Sequence, residues 1–117
     1  MTESARGVEG FVEGLKRCGC DPEKRNDVIV FNVVPAGGAR AGRAVETGVG
    51  LDELSGWPMA PPHWLHFPAS INIAKTNSRP SPIPNWLKHS RKADAWGNAE
   101  EPAQAWIAHV RAVLEDG

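Results

Sequence analysis

A chain of 117 residues, 41% hydrophobic and 23% charged, has room for one domain of ordinary globular composition. Thirteen basic residues against fourteen acidic ones give a net charge of -1, which argues against a general binder of nucleic acid or anionic membrane, since both need a clustered positive field. No apolar stretch approaches the roughly 20 residues that span a bilayer, and the polar start Met1-Thr2-Glu3-Ser4-Ala5-Arg6 leads into no apolar signal core, so the expectation is one cytoplasmic domain over residues 1–117.

Residues 3–17 are expected to form an amphipathic helix, because Val8, Phe11, Val12 and Leu15 share one face. Gly7, Gly10 and Gly14 weaken it by roughly 1 kcal/mol each relative to Ala, so it needs tertiary support. Cys18-Gly19-Cys20-Asp21-Pro22 ends it, with Gly19 suited to the C′ position. Residues 27–34, nearly all β-branched or aromatic, read as a strand covered on both faces. The Gly-rich 35–42 reads as a hairpin loop. Its glycine spacing matches no phosphate-binding motif. Val45, Thr47, Val49 and Leu51 then alternate with Ala44, Glu46, Gly48 and Gly50, the pattern of a half-buried strand antiparallel to the first.

Pro58, Pro61 and Pro62 keep 56–62 out of any helix. Residues 63–67 return to a strand pattern, with Leu65 and Phe67 on one face and Trp64 and His66 on the other. Residues 71–74 read as a short fourth strand, 76–85 as a polar, proline-rich loop, and 86–91 as a helical turn. The final helix, 101–114, is the clearest. Trp106, Ile107, Val110, Val113 and Leu114 form its face, and Pro102 suits its first turn. The expected fold is therefore α+β: an N-terminal helix, a four-stranded antiparallel meander and C-terminal helices.

This order resembles the E2 (ubiquitin-conjugating) superfamily. Gly56-Trp57-Pro58, Pro61-Pro62 and Leu65-His66-Phe67 look like the family's aromatic-Pro turn, its Pro-Pro pair and the strand after it. The stretch Trp86-Leu87-Lys88-His89-Ser90-Arg91, then Trp96, then 105–114, is similar to the bacterial group called prokaryotic E2 family E. The resemblance covers most of 28–114. It implies a bacterial ubiquitin-like conjugation pathway, of antiviral or stress type. The implied partners are an E1-like adenylating enzyme, a ubiquitin-like protein and a JAB-type peptidase. The family carries its acyl group on a cysteine after the fourth strand, preceded by His-Pro-Asn. Here 72–86 contains neither, so thioester chemistry is in doubt and Ser78 or Ser81 stands where the acceptor is expected.

The remaining candidates follow from residue chemistry. On a helical turn, Trp86 and His89 share a face. His89 could activate the Ser90 hydroxyl while Arg91 stabilises an anion; the structural alternative is a packed Trp86 with His89, Ser90 and Arg91 making ordinary hydrogen bonds. Asn77 could line an oxyanion site, and His66 could orient the neighbouring loop. His63 and His66 point to opposite faces of a strand, a poor pair of metal ligands. Cys18 and Cys20 are too close in sequence for a good disulfide and too few for a zinc site, so no metal or cofactor is expected. A second reading is a non-catalytic module that docks a partner through a Trp/Pro surface over Trp57 to Trp64.

Overall fold

The computed structural model describes residues 6–71, 73, 76–91 and 101–116. Among the described residues, two helices and six strands follow in the order α1 (Gly7–Arg17), β1 (Glu23–Arg25), β2 (Val28–Val33), β3 (Val45–Gly50), β4 (Trp64–Pro68), β5 (Asn77–Pro80), β6 (Trp86–Ser90) and α2 (Pro102–Asp116). All strands pair antiparallel in one sheet, in spatial order β1-β2-β3-β4-β6-β5. A 3-10 turn at Leu51–Glu53 follows β3.

Helix α1 buries Gly10, Phe11, Gly14 and Leu15. Val8 lies off that face and is exposed. Gly14 permits close approach to α2, because a Cβ there would stand 2.8 Å from the Ala103 Cβ. The helix closes as the sequence predicts. Gly19 takes φ +86°, its N–H donates to the Lys16 carbonyl, and the Cys20 N–H donates to the Leu15 carbonyl. Helix α2 buries Ala103, Trp106, Ile107, Val110, Val113 and Leu114. Together the helices cover one sheet face, meeting Ile29, Phe31, Val33, Val45, Val49, Leu65 and Phe67 in the main core.

The opposite face carries its own small cluster of Val28, Val30, Ile83 and Trp86. The continuous apolar run of β2 is thereby explained: alternate residues feed two different clusters. Loop 81–85 supplies Ile83 to this second cluster, which is why a proline-rich loop packs against the sheet.

Three expectations for the middle of the chain are corrected. The strand expected at 71–74 does not form at Ile71 or Ile73; Asn72 and Ala74 lie outside the described residues, as do residues 3–5 of the expected first helix and Trp96. The proline-rich loop contains β5, an exposed edge strand in which Pro80 sits at the end. Residues 86–90 form a strand, not a helical turn, because all five pair with β4 and residues 87–90 pair with β5 as well. A five-residue mixed segment has no decisive period of its own, so pairing partners decide its conformation. The unforeseen β1 joins β2 through Asn26 and Asp27, both with positive φ (49° and 62°), as a two-residue primed turn requires.

Candidate functional site

The chemistry gathers on the sheet face turned away from the helices. Register puts Gly48, His66, Lys88 and Arg79 in one row, and Trp64, Ser90 and Asn77 in the next. The glycines of β3 make room on this face. A Cβ on Gly48 would meet Val28 Cγ1 at 2.4 Å, and one on Gly50 would stand 3.7 Å from His66 Nε2.

His66 is 2% exposed. Its Nδ1 lies 2.8 Å from Ser81 Oγ, and its Nε2 faces Glu53 Oε2 at 3.9 Å. Ser81 Oγ accepts the Ile83 N–H at 3.2 Å, so its own O–H is free to donate to Nδ1. That bond puts the imidazole proton on Nε2, toward Glu53. Glu53 is fixed by its other oxygen, which accepts the backbone N–H groups of His63 (2.8 Å) and Trp64 (3.0 Å). Burial pushes the Glu53 carboxyl upward, but the facing His66 ring and the two amides outweigh it and hold the group below the usual carboxylate range. The result is a carboxylate, an imidazole and a hydroxyl in line, drawn from three separate segments. Beside it lies a shallow depression of about 340 Å³ lined by Asp27, Leu51, Asp52 and Pro82.

Other sequence-predicted residues land elsewhere. His89 points to the helix side, 6.0 Å from the Phe67 ring, while its neighbour Ser90 points to the open face. Strand geometry thus separates the pair that a helical turn would have joined. His89 Nδ1 lies 3.0 Å from Thr76 Oγ1, whose O–H donates to the Ile73 carbonyl. His89 Nε2 is buried with no partner among the described residues. Burial, and then the nearby His66, push the His89 imidazole below its ordinary pKa.

Trp86, expected beside His89, lies on the opposite face, under the Arg25 guanidinium at 5.9 Å. Ser78 and Asn77 are exposed on the edge strand β5. Arg91 is half-buried and donates its backbone N–H to the His63 carbonyl at 3.4 Å. Trp57 is not a surface residue: it is 3% exposed and meets Phe11 edge-on at 4.8 Å. The exposed apolar residue of that crossover is Met59, at 86%.

Cys18 and Cys20 are free thiols packed against the helix-side core. Burial raises both thiol pKa values, so neither carries the activated thiolate of a nucleophile. No group of three metal-ligating side chains occurs among the described residues, and no described helix is long and apolar enough to cross a membrane. No family model, curated protein or solved structure matches the chain.

One participant and one contact escaped the sequence reading. Glu53 sits in a short connection with no motif around it. The His66–Ser81 contact depends on loop 81–85 packing over the sheet.

Proposed function

We propose that this domain is an E2-like component of a bacterial ubiquitin-like protein modification pathway that carries its acyl group on Ser81. The observation that supports it is the Glu53–His66–Ser81 array, whose serine stands in the segment where the E2-like resemblance expects a cysteine. Its partners are an E1-like adenylating enzyme and a ubiquitin-like protein, with a JAB-type peptidase in the same antiviral or stress system. Ser81 Oγ attacks the activated C-terminal carbonyl of the ubiquitin-like protein, and its proton passes to His66 Nδ1. Glu53 stabilises the imidazolium so formed. The proton then leaves with the departing thiol of the E1-like enzyme, and an oxyester remains on Ser81.

The experiment is reconstitution with the cognate E1-like protein, the ubiquitin-like protein and ATP. The expected product is an adduct that resists thiols and yields to hydroxylamine. It should vanish in Ser81→Ala, form at least about a hundredfold more slowly in His66→Gln, and persist in Cys18→Ala and Cys20→Ala. A thiol-sensitive adduct lost in Cys18→Ala or Cys20→Ala overturns the proposal. A non-catalytic docking module is the second reading. It is favoured by the Ile83 N–H bond to Ser81 Oγ, which is ordinary turn chemistry, and by the exposed Met59. Stable binding of the ubiquitin-like protein without any adduct selects it.

A further inference from the structure

Ser90, on the same sheet face, forms a second serine–histidine pair with His63, which stands just before β4. Ser90 Oγ is hydrogen-bonded to His63 Nε2. His63 is exposed and Ser90 half-exposed, in contrast to the buried His66 ring. The His63 backbone N–H donates to Glu53 Oε1 at 2.8 Å, and the ring meets the Trp64 indole edge-on at 5.3 Å. With the Ser90 hydroxyl as the donor, this pairing is the one in which an imidazole activates a serine nucleophile.

The surroundings define the donor it would take. Trp64 stands directly across from Ser90 in the β4–β6 register, and the Lys88 ammonium lies 5.0 Å from the Trp64 ring centre. Lys88 stands two residues from Ser90 on β6 and so faces the same side of the sheet. Arg79 pairs with Lys88 on the adjacent strand and faces the same side, exposed. A positive field there favours a leaving group that departs as an anion.

We infer that Ser90 and His63 form a second, solvent-facing nucleophilic site that accepts acyl groups from donors with an anionic leaving group, the simplest being an acyl phosphate. This inference does not rest on the Ser81 reading. In the step, Ser90 Oγ attacks the carbonyl carbon and a new C–O bond forms. The bond from that carbon to the phosphate oxygen breaks, and the electron pair leaves with phosphate. The Ser90 proton moves to His63 Nε2 and then to the departing phosphate. An O-acyl serine and inorganic phosphate are the products, with no oxidant or reductant required.

The test is incubation of the full chain with acetyl phosphate, followed by peptide mass mapping and hydroxylamine treatment. The expected product is a hydroxylamine-labile acetyl ester on Ser90, absent in Ser90→Ala and formed about a hundredfold more slowly in His63→Ala. Ser90→Cys should shift the adduct to a thiol-labile thioester, a gain that a misfolded variant would not show. Arg79→Ala should slow the reaction with acetyl phosphate, whose donor is itself an anion, more than that with p-nitrophenyl acetate, whose donor is neutral. A hydroxylamine-stable adduct confined to Lys88, or a Ser90 ester that forms equally fast in His63→Ala, overturns the inference. Ser81→Ala removes the ubiquitin-like adduct proposed above, whereas the Ser90 ester should survive it, so the two proposals fail separately.

Discussion

The two faces of the sheet use the same strands for different ends. On the helix side, Phe31, Val49, Leu65 and Phe67 meet two helices and close a dry core. On the open side, the same strands present Gly48, Gly50, His66, Lys88 and Ser90, and the cover is a loop with a single apolar anchor, Ile83. Stability is concentrated on one face, which leaves the other able to hold polar groups in fixed positions. Polar side chains need this arrangement, because a rigid sheet orients them while a thin cover leaves them near solvent.

The sharpest way to break the contrast is to remove one tryptophan from each face. Trp106 on α2 is fully buried in the large helix-side core, whereas Trp86 belongs to the small cluster with Val28, Val30 and Ile83. Trp106→Ala should cost about 3–5 kcal/mol in urea unfolding. Trp86→Ala should cost about 2 kcal/mol, because its site can collapse. Equal losses would mean that the open face is a second core and not a platform.

A smaller effect tests the glycines. A Cβ at Gly48 meets Val28 Cγ1 at 2.4 Å and the Ile29 carbonyl oxygen at 3.1 Å. The first contact must give way, so Gly48→Ala should destabilise by about 1–3 kcal/mol. Urea unfolding measures it. A neutral result would show that Val28 has an alternative rotamer available and that the close approach over β3 is not required.

Acidification separates the faces by their histidines. Burial, reinforced by His66, lowers the His89 pKa in the folded chain. The unfolded chain therefore takes up the His89 proton first, at about pH 6.5. Its contribution to stability is complete above that value and fades as pH falls toward the folded pKa. Glu53, also lowered, contributes above the unfolded carboxylate value of about 4.3 and fades below it. His89→Leu should flatten the decline of the unfolding midpoint between about pH 7 and 5, leaving the lower Glu53 step. If His89→Leu keeps the full slope, another group carries it.

What could be read from the sequence follows the same division. The helix-side elements were legible because their apolar periods are set by one broad core. The 3.6-residue spacing of α2, the alternation in β4 and Gly19 at the end of α1 each speak locally. The opposite facing of His66 from Leu65 was legible for the same reason. The outer strands β1 and β5 were not, because they are polar and carry no apolar period. Glu23-Lys24-Arg25 has no apolar residue. Asn77–Pro80 is exposed along its whole length. The site inherits that difficulty: Ser81 was a candidate on position, but its alignment with His66 and Glu53 requires three segments that no local pattern connects.

The smallest effect is expected at Gly50, where site and stability part company. A Cβ there would approach Asp52 Oδ1 to 2.7 Å, yet that atom ends a flexible, exposed side chain that can turn away. Its distances to Glu53 Oε2 and His66 Nε2, 3.7 Å each, are ordinary contacts. Gly50 has φ -66° and ψ 141°, which alanine adopts without strain, and alanine reduces the freedom of the unfolded chain. Gly50→Ala should therefore shift stability by no more than about 0.5 kcal/mol in either direction. The added methyl excludes water from the gap between Glu53 and His66, so the rate of Ser81 adduct formation should change while the urea midpoint does not. A large loss of stability would show instead that Asp52 is locked in place, and that the open face around His66 is packed as tightly as the core behind it.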